Sequence, residues 1–160
     1  MISEEKERII WTKRAKKSSL VMDPVPDLPE AFKNRILGCE GDPESAVLII
    51  QKELTKTDLS TGHGRLSVPY KKVRNQFLKA SEEDQSNTEK GGIKTTLIQP
   101  CLEKCEISLR NWKSNSEYVL VRDWNKVCSR NELREGMKIQ LWSFRTNSSD
   151  QLRFALVNVD

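Results

Sequence analysis

Polar and apolar positions alternate along most of this chain with the period of two expected for strands, and only brief stretches keep a helical period. Ala46 to Lys52 reads as a buried strand, and Arg65-Leu66-Ser67-Val68-Pro69 as a second with Leu66 and Val68 inward. Between them Leu54 to Gly64 is a polar loop with two glycines, long for a plain hairpin. Five more strands are predicted over Ile93 to Pro100, Lys104 to Lys113, Glu117 to Arg122, Gly136 to Arg145 and Gln151 to Val157. In the last two, Met137, Ile139 and Leu141, then Leu152, Phe154 and Leu156, share one face. Lys113-Ser114-Asn115-Ser116 and Asn147-Ser148-Ser149-Asp150 read as turns.

Helical spacing appears at Tyr70, Val73 and Phe77, which predicts a helix over Tyr70 to Lys79. It appears again at Trp124, Val127, Cys128 and Asn131, with Asp123 as the predicted cap. A shorter helix is expected near 29–37, where Pro29 opens a turn carrying Phe32 and Ile36 and Gly38 closes it; Gly41-Asp42-Pro43 then turns the chain. Ala80 to Gly92 is acidic and polar and reads as a mobile loop. Seven strands with two inserted helices and no βαβ rhythm indicate a mainly β domain, a barrel or a sandwich. The predicted division is a charged, largely flexible leader over 1–45, with its short helix, and a domain over 46–160 with an acidic loop near 80–92.

Composition narrows the class. The 160 residues are 36% hydrophobic and 31% charged, with a mean hydropathy of −0.63, enough for one domain. Collagen-like, low-complexity and disulfide-scaffold classes are excluded. The apolar run Ala46 to Ile50 is far too short to cross a bilayer, and the first residues lack a signal peptide's apolar block, so a soluble protein is expected. The net charge of +4 conceals its distribution: residues 46–79 hold seven Lys or Arg against two Asp or Glu, while acidic stretches flank them. A further basic cluster, Lys13-Arg14-Ala15-Lys16-Lys17, fits nuclear import or a nucleic-acid patch. Local positive charge suits a polyanion, because each neutralised phosphate releases counterions.

Catalytic and metal chemistry find little support. Cys101 and Cys105 lie four apart, Cys39 and Cys128 stand alone and His63 is the only histidine, which is not the paired spacing of a zinc site. No phosphate-binding G-x-x-x-x-G-K occurs, and Gly62-His63-Gly64 lacks the context of a dinucleotide loop. No enzyme activity and no cofactor are predicted.

Two blocks are more specific. Lys52-Glu53-Leu54-Thr55-Lys56-Thr57-Asp58-Leu59, continuing through Ser60-Thr61-Gly62-His63-Gly64-Arg65 to Pro69, is the first. The second is Trp112-Lys113-Ser114-Asn115-Ser116-Glu117-Tyr118-Val119-Leu120-Val121-Arg122-Asp123-Trp124, followed by Leu133-Arg134-Glu135-Gly136-Met137. In this order and spacing, from about Ala46 to Val157, the chain resembles the plant B3 DNA-binding domain. The Leu-Pro-Glu segment at 28–30 and the phrases around Pro100-Cys101 and Trp142-Ser143-Phe144 resemble a divergent branch of that family, long called a plant domain of unknown function.

The resemblance implies a seven-stranded open barrel that grips double-stranded DNA with two major-groove arms and regulates transcription in the nucleus. The arms would be Leu54 to Arg65 and Trp112 to Ser116. On the first, Lys56, Thr57, Ser60, His63, Gly64 and Arg65, with Lys52 at its root, suit phosphate and base-edge contacts. On the second, Lys113, Ser114 and Ser116 suit the backbone, and Asn115 can pair bidentately with adenine. Trp112 is expected to prop its arm, and Arg110 is the positive charge left on the strand before it. The stretch Cys105 to Arg110 departs from better-known members, and Glu106 and Glu117 would repel phosphate if they faced a groove. The alternative is therefore a protein-interaction module on the same scaffold.

Overall fold

A computed structural model describes residues 26–87 and 91–159. The basic cluster at Lys13 to Lys17 lies outside the described residues. In chain order the elements are helix α1 (Glu30–Gly38), strand β1 (Gly41–Glu53), the one-turn helix α2 (Lys56–Leu59) and strand β2 (Leu66–Pro69). Helix α3 (Ala80–Ser86), strands β3 (Ile93–Ile98), β4 (Lys104–Trp112) and β5 (Glu117–Arg122), helix α4 (Trp124–Arg130), and strands β6 (Lys138–Thr146) and β7 (Leu152–Asn158) follow. Short 3₁₀ turns occupy Tyr70–Lys72 and Lys113–Asn115.

The seven strands form one sheet in the order β1-β6-β7-β3-β4-β5-β2, curled into an open half-barrel. Every pairing is antiparallel except a short parallel contact between β3 and β7 at Leu97–Phe154 and Ile98–Ala155. The right-handed twist of strands curls such a sheet and lets one face close on itself. Ile50, Leu66, Leu97, Ile107, Leu109, Leu120, Ile139, Leu141, Phe154 and Leu156 fill that inner face, joined by Trp124 and Val127 from α4. Trp124 is fully buried and donates its indole N–H to the Asp58 carbonyl at 2.7 Å.

On β6 both faces are buried, and the second face has its own cluster. Leu48, Trp142, Phe144, Ala155 and Val157 lie outside the barrel and are covered by Leu28, Phe32 and Ile36 of α1 and its approach. Burying a large apolar side chain is worth about 2 kcal/mol, so this contact is a substantial part of the fold. Gly41, expected in a turn, begins β1 instead, which runs thirteen residues and not seven. A Cβ on Gly41 would lie 2.7 Å from both Ile36 Cγ2 and Phe144 Cε2, so only glycine lets strand and helix approach this closely here.

Three further expectations fail. Tyr70 to Lys79 is not a helix; after the 3₁₀ turn the backbone is irregular and bonds outward, Arg74 N–H to Ile49 O at 2.7 Å. Ala80 to Gly92 is not one loop, because Ala80–Ser86 is helical and held by Arg145, whose two terminal nitrogens meet the Glu82 carboxylate at 2.6 and 2.8 Å. Asp123 occupies the cap position of α4 but its side chain makes no capping hydrogen bond; it lies 3.9 Å from Lys126 instead.

Candidate nucleic-acid interface

Consecutive in the chain, β1 and β2 are nevertheless the two edges of the sheet, so the segment joining them spans the open seam. Leu54 anchors it: the side chain is buried, its N–H donates to Met137 O at 2.8 Å, and its carbonyl accepts from Gly136 N–H at 2.9 Å. Thr55 then caps α2. Its hydroxyl accepts from Asp58 N–H at 3.2 Å, and Asp58 Oδ2 accepts from Thr55 N–H at 2.9 Å. The other Asp58 oxygen accepts Ser67 N–H at 3.1 Å, tying the arm to β2.

Lys52 completes this hub, and its expected role changes. Its ammonium lies 2.8 Å from Asp58 Oδ2 and donates to Ser67 O at 2.9 Å, with the side chains 8% and 1% exposed. Lys52 is a clamp between β1, α2 and β2, not a cation displayed to solvent. Asp58 was not singled out from sequence, although Thr55-x-x-Asp58 is the spacing of a capping box.

Beyond α2 the arm folds over its own backbone. His63 and Gly64 N–H both donate to Ser60 O at 3.1 Å, and Asn125 at the start of α4 donates to Thr61 O at 3.1 Å. Gly64 has φ +61, the left-handed region that glycine enters without strain. Lys56, Thr57 and His63 are exposed; Ser60, Gly64 and Arg65 are half-buried.

The second arm is the tight end of the β4–β5 hairpin, where Trp112 pairs with Glu117. Lys113–Asn115 form one 3₁₀ turn, Ser116 takes a left-handed conformation at φ 53, and its N–H returns to Lys113 O at 3.0 Å. Lys113, Ser114, Asn115 and Ser116 all face solvent.

The arms meet at their roots. The Arg65 guanidinium carbon lies 4.7 Å from the centroid of the Trp112 ring, a cation–π contact. Stacking occupies the guanidinium face and leaves its terminal N–H groups free for a phosphate or a guanine edge. Arg110 shares the outer face of β4 with Trp112, two residues away, and stands opposite Val119 of β5. It belongs to the wall between the arms. Arg65 Nε and Arg110 Nε are both buried without a hydrogen-bond partner. A groove lined by Lys52, Thr55, Thr57, Arg65, Ser67 and Lys72 runs along the seam.

Each suspect carboxylate has a partner. Glu117 accepts the Ser67 hydroxyl, across neighbouring strands. Glu106 pairs with Arg122 at 3.3 Å, six residues up β4 from Trp112 and about 20 Å from the second arm. The half-buried Cys105 and Cys128 thiols are pushed up to about 11, chiefly by desolvation, so both are protonated at neutral pH. Among the described residues no three His, Cys, Asp or Glu side chains could hold a metal ion, and no helix is long and apolar enough to cross a membrane.

Comparison with known proteins adds a family. A family model described as B3 domain-containing protein At2g31720-like matches residues 28–160. In Arabidopsis thaliana, B3 domain-containing protein At1g05920 is 38% identical over 131 residues, 73% of this chain and 40% of that protein. The putative B3 domain-containing protein At2g27410 from the same plant is 31% identical over 169 residues, 96% of this chain and 65% of that protein. The chain spans less than half the length of several such relatives, 34% of B3 domain-containing protein At5g24050 among them. Among solved structures, an Arabidopsis FUS3-DNA complex matches 71% of this chain and 100% of its own at TM-score 0.45 and 19% identity. A complex of the Arabidopsis thaliana transcription factor LEC2 with DNA matches 72% and 96% at TM-score 0.46 and 15% identity.

Proposed function

Since the chain belongs to the B3 domain family, in its At2g31720-like group, we propose that it binds double-stranded DNA sequence-selectively through its two arms and acts in the nucleus as a regulator of transcription. The observation that carries this reading is the contact between Arg65 and Trp112, which joins two polar, solvent-facing loops at one place on the sheet. Arms held at a fixed spacing can enter one major groove together, and a rigid pair loses less entropy on binding than two free loops.

Roles follow from chemistry. Lys56, His63 and Lys113 meet phosphates, whose contacts position the duplex without reading it; Thr57, Ser60, Ser114 and Ser116 hydroxyls and the Gly64 backbone add to them. Arg65, with its face on Trp112, offers a fork to a guanine edge or a phosphate, and Asn115 reads adenine. Arg110 contributes positive potential from the wall behind. No part of the proposal involves catalysis.

Selection from a random duplex pool, followed by fluorescence anisotropy at several salt concentrations, tests it. The expected result is one enriched motif, with the logarithm of its affinity falling linearly with the logarithm of salt. A chain that enriches no duplex, yet retains protein partners after nuclease treatment, overturns the proposal in favour of a protein-interaction module.

A further inference from the structure

Residues 70–75 form a strap, not a helix, and its backbone is fixed at both ends. Tyr70 N–H donates to Ser116 O of the second arm at 3.0 Å, and the Tyr70 hydroxyl bonds to Asn111 on β4. At the other end Arg74 N–H donates to Ile49 O and Asn75 Nδ2 to Leu48 O, both at 2.7 Å, so the strap covers the free edge of β1. Val73 turns inward against the barrel core.

What the strap shows to solvent is cationic. Lys71, Lys72 and Arg74 are exposed, and none has an anionic partner among the described residues, whereas Lys79, Arg122, Lys126 and Arg145 are all paired. Lys72 also lines the seam groove beside Thr57 and Arg65. Three like charges within four residues on a fixed backbone repel one another, and a polyanion laid along them relieves that repulsion.

We infer that Lys71, Lys72 and Arg74 form a phosphate-binding rail beside the arms, holding the sugar-phosphate backbone of the same duplex. The inference rests on the reading of the arms given above and adds a surface to it. The rail supplies sequence-independent affinity and fixes how the duplex lies, while the arms read it.

Salt titrations of the full chain decide the matter, using the selected duplex and a scrambled one. In K71Q/K72Q/R74Q, affinity for both duplexes falls by a common factor, the slope of log affinity against log salt shrinks by about 2.7, and the selected motif is unchanged. K71R/K72R keeps the wild-type slope. K104Q/R130Q, which removes charge at the opposite end of β4 and at the end of α4, also keeps it. A triple variant with the wild-type slope, or one that selects a different motif, overturns the rail and leaves the arms standing. A wild-type chain with no salt-dependent duplex binding overturns the arms, and the rail with them.

Discussion

Asp58 is 1% exposed and charged, and it is tolerated because its carboxylate accepts Thr55 N–H and Ser67 N–H and pairs with Lys52. Removing one member of such a pair leaves the other buried without compensation. Asp58→Ala is therefore expected to cost about 3 to 5 kcal/mol in urea denaturation, and K52M/D58A less than Asp58→Ala alone. Should the single and double variants lose the same amount, the pair is not the support of the first arm that the geometry indicates. At the tips, Lys56→Ala should weaken every duplex by a similar factor, whereas Asn115→Ala should mainly relax preference at one base pair, by about 1 to 3 kcal/mol in competition assays. Identical behaviour of the two would refute the division of roles. The exposed arm residues were legible as polar loop positions between apolar runs. The fate of Lys52 was not, because its partners reach it only when the seam closes, and its charge gives no hint of burial.

At the scale of elements, strands with a clean alternation were legible: Glu117–Arg122 is found with the bounds expected, and β7 starts and ends one residue late. Residues 70–79 read as a helix because Val73 and Phe77 do turn to the core, as a helix would require, but from an irregular segment that bonds at one end to Ser116 and Asn111 and further on to β1. Helix α3 was invisible for a related reason, since its anchor Arg145 is 63 residues away and also donates to Phe77 O at 2.8 Å. Burial pushes the Glu82 carboxyl up, but the Arg145 guanidinium and the Lys79 backbone N–H together hold it below its ordinary value. A lowered carboxyl stabilises the fold above its unfolded value near about 4.3 and loses that stabilisation as pH falls through the folded value. Glu82→Gln should therefore cost about 2 kcal/mol at pH 7, with a gap from wild type that narrows below about pH 4 in denaturation curves. A gap constant from pH 7 to pH 3 would show that the ion pair does not fasten α3.

For the whole molecule, the apolar residues divide into two clusters on opposite faces of one sheet, and the outer one depends on residues 28–36. A boundary at 46 follows composition, because residues 21–45 are acidic and interrupted by proline, yet Leu28, Phe32 and Ile36 cover Trp142 and Phe144. We propose the folding unit as beginning near residue 26. A fragment 46–160 should melt well below 26–160 and bind a hydrophobic dye, and Phe32→Ala in the full chain should cost about 3 kcal/mol. Equal melting of the two fragments would return the boundary to 46. The barrel's curl was legible as seven short strands, while the strand order was not, since alternation names a strand's faces and not its neighbours. That order also bears on synthesis. Gln51 of β1 meets Gln140 of β6 across 89 residues, so β1 has α1 and the strap beside it but no strand partner while the intervening chain is made. At ribosomal speeds that wait is on the order of ten seconds, during which β1 keeps an unpaired strand edge and Leu54 at the root of the first arm lacks its anchors Gly136 and Met137.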